Sequence, residues 1–154
     1  MSAAVISLTG CGGKTNETSA KRPSAVAEQL TDARCSEARE RIRRVNPDTA
    51  AYRGKGKMSD GAVALSAGDF FFGPTCITTT KPTAQTAREP VMLTVKNDSK
   101  NLHNVTVPDQ RIDMDIPPGQ TVSVPVRAVG ANVNFFCKFH QSSGMLGVLV
   151  PGGA

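Results

Sequence analysis

The sequence lacks long apolar runs and internal repeats and has few histidines, and each of these features excludes a class of protein or site. No apolar run is long enough to form a membrane-spanning helix, and no segment repeats along the chain. Only two histidines occur, which excludes sites built from many imidazoles. The sequence is therefore typical of one globular domain with an additional N-terminal segment.

Positive charge is concentrated in the N-terminal part of the chain. Residues 14–57 contain 11 Lys and Arg against 6 Asp and Glu, whereas residues 58–154 contain 7 of each kind. Nucleic-acid binding needs a basic face with stacking aromatic side chains, and Tyr52 is the only aromatic residue of the basic part. We therefore expect no nucleic-acid partner. An anionic membrane surface suits these charges better.

The first residues resemble a bacterial lipoprotein signal. Leu8-Thr9-Gly10-Cys11 is similar to a lipobox, and the polar residues that follow fit a flexible tether. The apolar stretch before it is short and lacks a preceding Lys or Arg, which a start codon placed too far downstream would explain. We expect Cys11 to be lipidated and the protein to be membrane-anchored outside the cytoplasm, in the periplasm or at the cell surface. The alternative is a disordered cytoplasmic N-terminus with an incidental cysteine.

Composition divides the chain into three segments. Residues 1–24 are interpreted as a signal remnant and polar linker, residues 25–58 as a basic helical and linker segment, and residues 59–154 as the main domain. Loosely helical apolar spacing predicts a helix over 25–46, before Pro47. Its basic run, residues 39–44, is interpreted as a solvated helix face, with a docking patch as the alternative.

The main domain shows short β segments separated by Gly and Pro. The predicted strands are 62–66, 70–80, 91–97, 104–107, 121–126, 132–137 and 146–150. Many short strands with regular turn signals predict an all-β sandwich or barrel, here preceded by the short helical or disordered N-terminal segment.

One loop near the C-terminus combines a thiol, an imidazole and a thioether. Cys137, His140 and Met145 have the spacing C-x2-H-x4-M, and His103 lies upstream. Two His, one Cys and a weak axial Met form the ligand set of a blue-copper site. We therefore predict one copper ion, alternating between Cu(I) and Cu(II), with His103, Cys137 and His140 as equatorial ligands and Met145 as axial ligand.

With these motifs, residues from about 59 to 151 resemble a plastocyanin-type cupredoxin. The resemblance rests on His103-Asn104 after Asn97-Asp98-Ser99-Lys100, and on Cys137, His140, Met145 and Gly147 at family spacing. It implies a Greek-key β-sandwich with copper at one end, and a loop-stiffening role for Asn104. It also implies that electrons leave through the edge of His140, next to Phe139. Phe139 replaces a proline common at this position in plastocyanins.

The same residues allow several alternatives to copper-dependent electron transfer. Each ligand alone would more often be a buried Cys, a core Met or a hydrogen-bonded His. Zinc is the competing metal, although structural zinc prefers a closed Cys/His set. Multicopper oxidases and copper nitrite reductases need further histidines. The prediction is a monomeric electron carrier, not an enzyme, with a redox protein as donor and another as acceptor. The alternative is a copper-binding module for storage, delivery or sensing.

Two cysteines remain after these assignments. Cys35 and Cys76 have no other assigned role, and in an oxidising compartment two such cysteines suggest a disulfide. This bond would tie the helical segment to the sandwich. The alternative is that Cys76 is a buried thiol.

Overall fold

A computed structural model describes residues 25–45, 47, 53–57, 62–82 and 88–152. Cys11, Tyr52 and the boundary expected between residues 58 and 59 lie outside these ranges. The described elements are α1 (Ala25–Val45), β1 (Lys55–Lys57), β2 (Ala62–Gly68), β3 (Phe71–Gly73), β4 (Cys76–Pro82), β5 (Val91–Asn97), β6 (His103–Val107), β7 (Ile112–Ile116), β8 (Thr121–Val126), β9 (Val133–Phe136) and β10 (Leu146–Gly152). None of the described helices has the length and apolar character needed to cross a membrane.

The strands form two mixed sheets. The six-stranded sheet has the order β1-β4-β10-β9-β6-β7, and the four-stranded sheet has the order β3-β2-β5-β8. β4 runs parallel to β1 and β10, and β2 runs parallel to β5. The other neighbouring strands are antiparallel. This architecture confirms the prediction of a β-sandwich preceded by a helix.

The hydrophobic core lies between the two sheets. Alternate residues of β5, Val91, Leu93 and Val95, are buried, as the two-residue period of a strand requires. Phe72 of β3 meets Phe135 of β9 edge to face, with ring centroids 5.2 Å apart. Since β3 and β9 belong to different sheets, this aromatic pair joins the two layers.

α1 packs against β4 and β10 of the six-stranded sheet. Its buried residues include Cys35, Ala38 and Ile42, and a separate apolar cluster joins the first two to β4 and β10. Cys35 and Cys76 form a disulfide, the bond that sequence reasoning left open. The helix is therefore held covalently as well as by packing.

Three elements differ from the sequence prediction. The strand predicted over 70–80 is divided into β3 and β4 around Pro74, which follows a cis peptide bond. β1 lies in the stretch interpreted as a linker, and pairs with β4 along its length. β7 was not predicted, and it forms the edge next to β6. The remaining predicted strands agree to within two residues of their ends.

Candidate metal centre

Two neighbouring strands and one loop supply the predicted ligand residues. His103 begins β6, Cys137 directly follows β9, and Met145 directly precedes β10. Within the loop, the Cys137 N–H donates to the Met145 carbonyl and the Met145 N–H donates to the His140 carbonyl, each at 3.1 Å. Gly144 has φ 86°, the left-handed conformation that glycine adopts without strain. These bonds close the loop tightly before β10 begins.

The potential donor atoms of His103, Cys137 and His140 lie within 4.8 Å of one another. Cys137 Sγ is 3.5 Å from His140 Nδ1 and 3.9 Å from His103 Nδ1. His103 and Cys137 are fully buried, whereas His140 is partly exposed. The structure thus brings together three of the four residues expected to bind copper, with the same nitrogen of each imidazole facing the sulfur.

Met145 is fully buried in the core cluster that also contains Cys137. Its backbone bonds place it beside both Cys137 and His140. Gly147, two residues later, is opposite Phe135, and any side chain at this position would collide with the Phe135 ring. The glycine of the motif therefore lets the aromatic ring pack under the ligand loop.

Burial affects the protonation of His103 and Cys137, the two fully buried candidate ligands. Burial lowers the pKa of His103, and the neighbouring His140 lowers it further, while Asp69 opposes the shift. A lowered pKa favours the neutral imidazole, which is the form that binds metals. Burial also raises the pKa of the Cys137 thiol, opposed by the backbone N–H groups of Phe139, Asn104 and His140.

The side chain of Asn104, fully buried next to His103, connects β6 with β7. Its amide nitrogen donates to Asp113 at 2.6 Å and to Asp115 at 2.9 Å. Lys138 pairs with the same carboxylates at 2.9 and 2.8 Å. Lys138 lowers the pKa of both Asp residues, and they raise its own. The residue after Cys137 is thereby joined to β7.

The exposed edge of the site is apolar. Phe139 is 44% exposed and Phe70 is also 44% exposed. The Phe70 ring lies 5.1 Å from the His140 ring, centroid to centroid, and the Phe139 ring lies at 6.5 Å. Sequence reasoning found Phe139 but missed Phe70, which reaches His140 from the turn between β2 and β3. No sequence signal connects Phe70 to the ligand loop.

Sequence reasoning also gave no role to Ser99. Its hydroxyl oxygen lies 2.8 Å from His103 Nε2, the imidazole nitrogen that faces away from Cys137. Ser99 was part of the segment that supported the resemblance, so its position four residues before the histidine was the available signal.

No protein-family model and no curated protein matches the sequence. Among solved structures, the chain is similar to a purple cupredoxin from Nitrosopumilus maritimus, with 15% identity over 58% of this chain and 99% of that one, at a TM-score of 0.42. It is similar to a mutant fern plastocyanin, with 17% identity over 58% and 99%, at 0.44. It is also similar to the metal-binding domain of the Streptococcus pneumoniae Cu(I)-exporting ATPase CopA, with 10% identity over 66% and 96%, at 0.43.

The chain has a cupredoxin-type β-sandwich. This follows from its own two-sheet topology and from the ligand cluster where β6 meets the loop after β9. A Cys sulfur with two imidazole nitrogens is the equatorial donor set of type 1 copper, and two of the three residues of this cluster are fully buried.

Proposed function

We propose that this protein is a type 1 copper electron carrier that passes single electrons between redox partners. The observation that supports this most directly is the convergence of His103, Cys137 and His140 donor atoms within 4.8 Å. When bound, copper supplies a one-electron couple that none of the side chains provides. The described residues outside this cluster contain no other group of three or more metal-binding side chains of the His, Cys, Asp and Glu types.

Each of the four candidate residues would contribute differently to metal binding. Cys137 would supply a soft thiolate, and His103 and His140 would each supply an imidazole nitrogen, the Nδ1 atoms lying 3.9 and 3.5 Å from the sulfur. Met145 would contribute its thioether sulfur as a weak fourth ligand, which would adjust the reduction potential more than it holds the ion. The closed backbone of the 137–145 loop supports this role, because a rigid loop reduces the rearrangement that accompanies a change in oxidation state.

The proposed route for electrons passes through His140. It is the one of the two ligand imidazoles that is partly exposed, and Phe139 and Phe70 provide apolar surface around it. An apolar patch of this kind favours short-lived contact with a donor or an acceptor protein because it can be desolvated at little cost. We propose that a monomer docks its redox partners here, one after the other.

The experiment that tests this function is titration of the metal-free protein with Cu(II), followed in the visible spectrum. We expect an intense blue band at one equivalent, bleached by ascorbate as it reduces Cu(II) by one electron, and restored on reoxidation. A protein that stays colourless or binds only zinc would contradict the proposal. One that is reduced irreversibly would favour copper storage or delivery instead.

Two variants in the same loop distinguish the loss of the thiolate from a nonspecific effect of mutating the loop. Cys137→Ser should abolish the blue band because the band arises from charge transfer between sulfur and copper. Ser142→Ala changes an exposed residue of the same loop and should keep the band unchanged. Retention of the band in Cys137→Ser would exclude Cys137 as the ligand.

We further propose that the carrier works outside the cytoplasm, anchored through lipidated Cys11. The Cys35–Cys76 disulfide supports an oxidising compartment, since such bonds rarely persist in the cytosol. In a bacterial host, Cys11→Ser should move the protein from the membrane fraction to the soluble fraction, with Cys35→Ala as the matched cysteine control. Equal membrane association of Cys11→Ser and wild type would contradict the anchor.

A further inference from the structure

His103 has a partner on each side of its ring. Nδ1 faces Cys137 Sγ at 3.9 Å, and Nε2 lies 2.8 Å from Ser99 Oγ. The ring is fully buried, so water does not readily replace either partner. A neutral imidazole carries a hydrogen on one nitrogen and a lone pair on the other, and the partner of each nitrogen influences which one carries the hydrogen.

The orientation of Ser99 is fixed by Asn97, which is fully buried at the end of β5. The Asn97 amide nitrogen donates to two backbone carbonyls, Asn101 O at 2.7 Å and Ile116 O at 2.8 Å. Because both of these partners can only accept, the amide cannot be turned around. Its oxygen therefore faces Ser99, where it accepts the Ser99 backbone N–H at 2.9 Å.

The hydrogen bonds around the Ser99 hydroxyl favour one of the two forms of neutral His103. The hydroxyl has one hydrogen to donate and two lone pairs. Two carbonyl acceptors lie within reach of this hydrogen, Asn97 Oδ1 at 3.0 Å and Asn101 O at 3.3 Å, besides His103 Nε2 at 2.8 Å. The Asn101 N–H, at 3.1 Å, occupies one lone pair. With the hydrogen on either carbonyl, the second lone pair of the hydroxyl faces His103 Nε2, and the 2.8 Å contact is then a hydrogen bond donated by the imidazole N–H.

We propose that Ser99, held in place by Asn97, is a positioning residue that fixes neutral His103 with its hydrogen on Nε2 and its Nδ1 lone pair directed at the metal site. That the lone pair serves copper rests on the proposed function. The arrangement itself belongs to the metal-free chain. His103 thus presents an unprotonated Nδ1 before a metal binds. Its hydrogen does not have to move from one ring nitrogen to the other on binding.

The test is long-range ¹H–¹⁵N NMR of the metal-free protein with both imidazoles neutral. With only two histidines in the chain, a His140→Gln sample assigns the His103 signals. Wild type should show a hydrogen on Nε2 and none on Nδ1. Ser99→Ala should reduce the ratio of the two forms by between about twofold and tenfold, as expected for one lost hydrogen bond. Ser99→Thr, which keeps the hydroxyl, should restore the wild-type pattern.

A second measurement addresses the metal. Copper affinity should fall by about tenfold to a hundredfold in Ser99→Ala and stay near wild type in Ser99→Thr, the range found for residues that orient metal ligands. A hydrogen on Nδ1 in wild type, or equal ratios in wild type and Ser99→Ala, would overturn the inference. The NMR arm decides this even if the wild type fails to bind copper, so the two proposals can fail separately.

Discussion

The buried side chain of Asn104, next to His103, makes hydrogen bonds to several elements around the candidate metal centre. Its amide nitrogen donates to both acidic residues of β7, and its oxygen accepts from the Thr106 hydroxyl and, at 3.5 Å, from the Lys138 backbone N–H. Its backbone N–H points at the Cys137 sulfur. One residue therefore connects β6, β7 and the start of the ligand loop.

Replacing this side chain should weaken the whole end of the sandwich. We expect Asn104→Ala to lower the free energy of unfolding of the metal-free protein by about 1–3 kcal/mol, because the several hydrogen bonds of this buried side chain are lost together. Urea unfolding followed by circular dichroism measures it. Thr106→Val removes only the hydroxyl partner and should cost less. If Asn104→Ala were as stable as wild type, the amide would have no role in holding the loop.

The sequence indicated the candidate ligand residues but not Ser99 and Phe70 beside them, and the reason is physical. Cys137, His140 and Met145 lie close together along the chain, so their spacing alone indicates a shared loop. Ser99 and Phe70 act through space. Phe70 reaches His140 because its backbone adopts a positive φ of 63° in the turn after β2, which no local pattern predicts.

Among the elements, β10 was predicted correctly, and the structure explains its unbroken apolar run. Leu149 faces the main core, whereas Val148 and Val150 belong to the cluster under α1. A strand buried on both faces lacks the alternation of a half-exposed strand. The same run therefore contained evidence for a second covering layer, which the sequence prediction did not use.

The missed elements, β1 and β7, are both edge strands. β7 alternates Ile, Asp and Met, but only Ile116 in it is fully buried, so it lacks the apolar signal of an inner strand. It exists because its backbone pairs with β6, with His103 opposite Ile116. This pairing also delivers Asp113 and Asp115 to Asn104. Edge strands thus contribute to the site through backbone pairing that composition does not reveal.

At the scale of the whole molecule, part of the basic N-terminal segment, helix α1, packs on the six-stranded sheet. α1 presents Arg39, Arg43 and Arg44 to solvent, while Arg41 donates to Asn134 of β9. Sequence reasoning predicted the solvated basic face correctly, but it did not predict that the opposite face would be buried on the sandwich. The helix and the sheet are therefore expected to unfold together.

The disulfide makes this coupling measurable. Cys35 and Cys76 are 41 residues apart, and closing a loop of that size restricts the unfolded chain by about 4 kcal/mol in the chain-entropy model. The Cys35→Ala, Cys76→Ala double variant should therefore lose about 2–4 kcal/mol of unfolding free energy, measured by urea denaturation. Ile42→Val, which trims the same buried helix face with the crosslink intact, should lose only about 1 kcal/mol.

Thiol chemistry provides the decisive control for this prediction. The denatured, metal-free and non-reduced wild type should react with a thiol reagent at Cys137 but at neither Cys35 nor Cys76, since both are disulfide-bonded. Reducing the wild type should lower its stability to that of the double variant, because the crosslink is then absent from both. If reagent labelled Cys35 and Cys76 before reduction, α1 would be held by packing alone, and the double variant should then be nearly as stable as wild type.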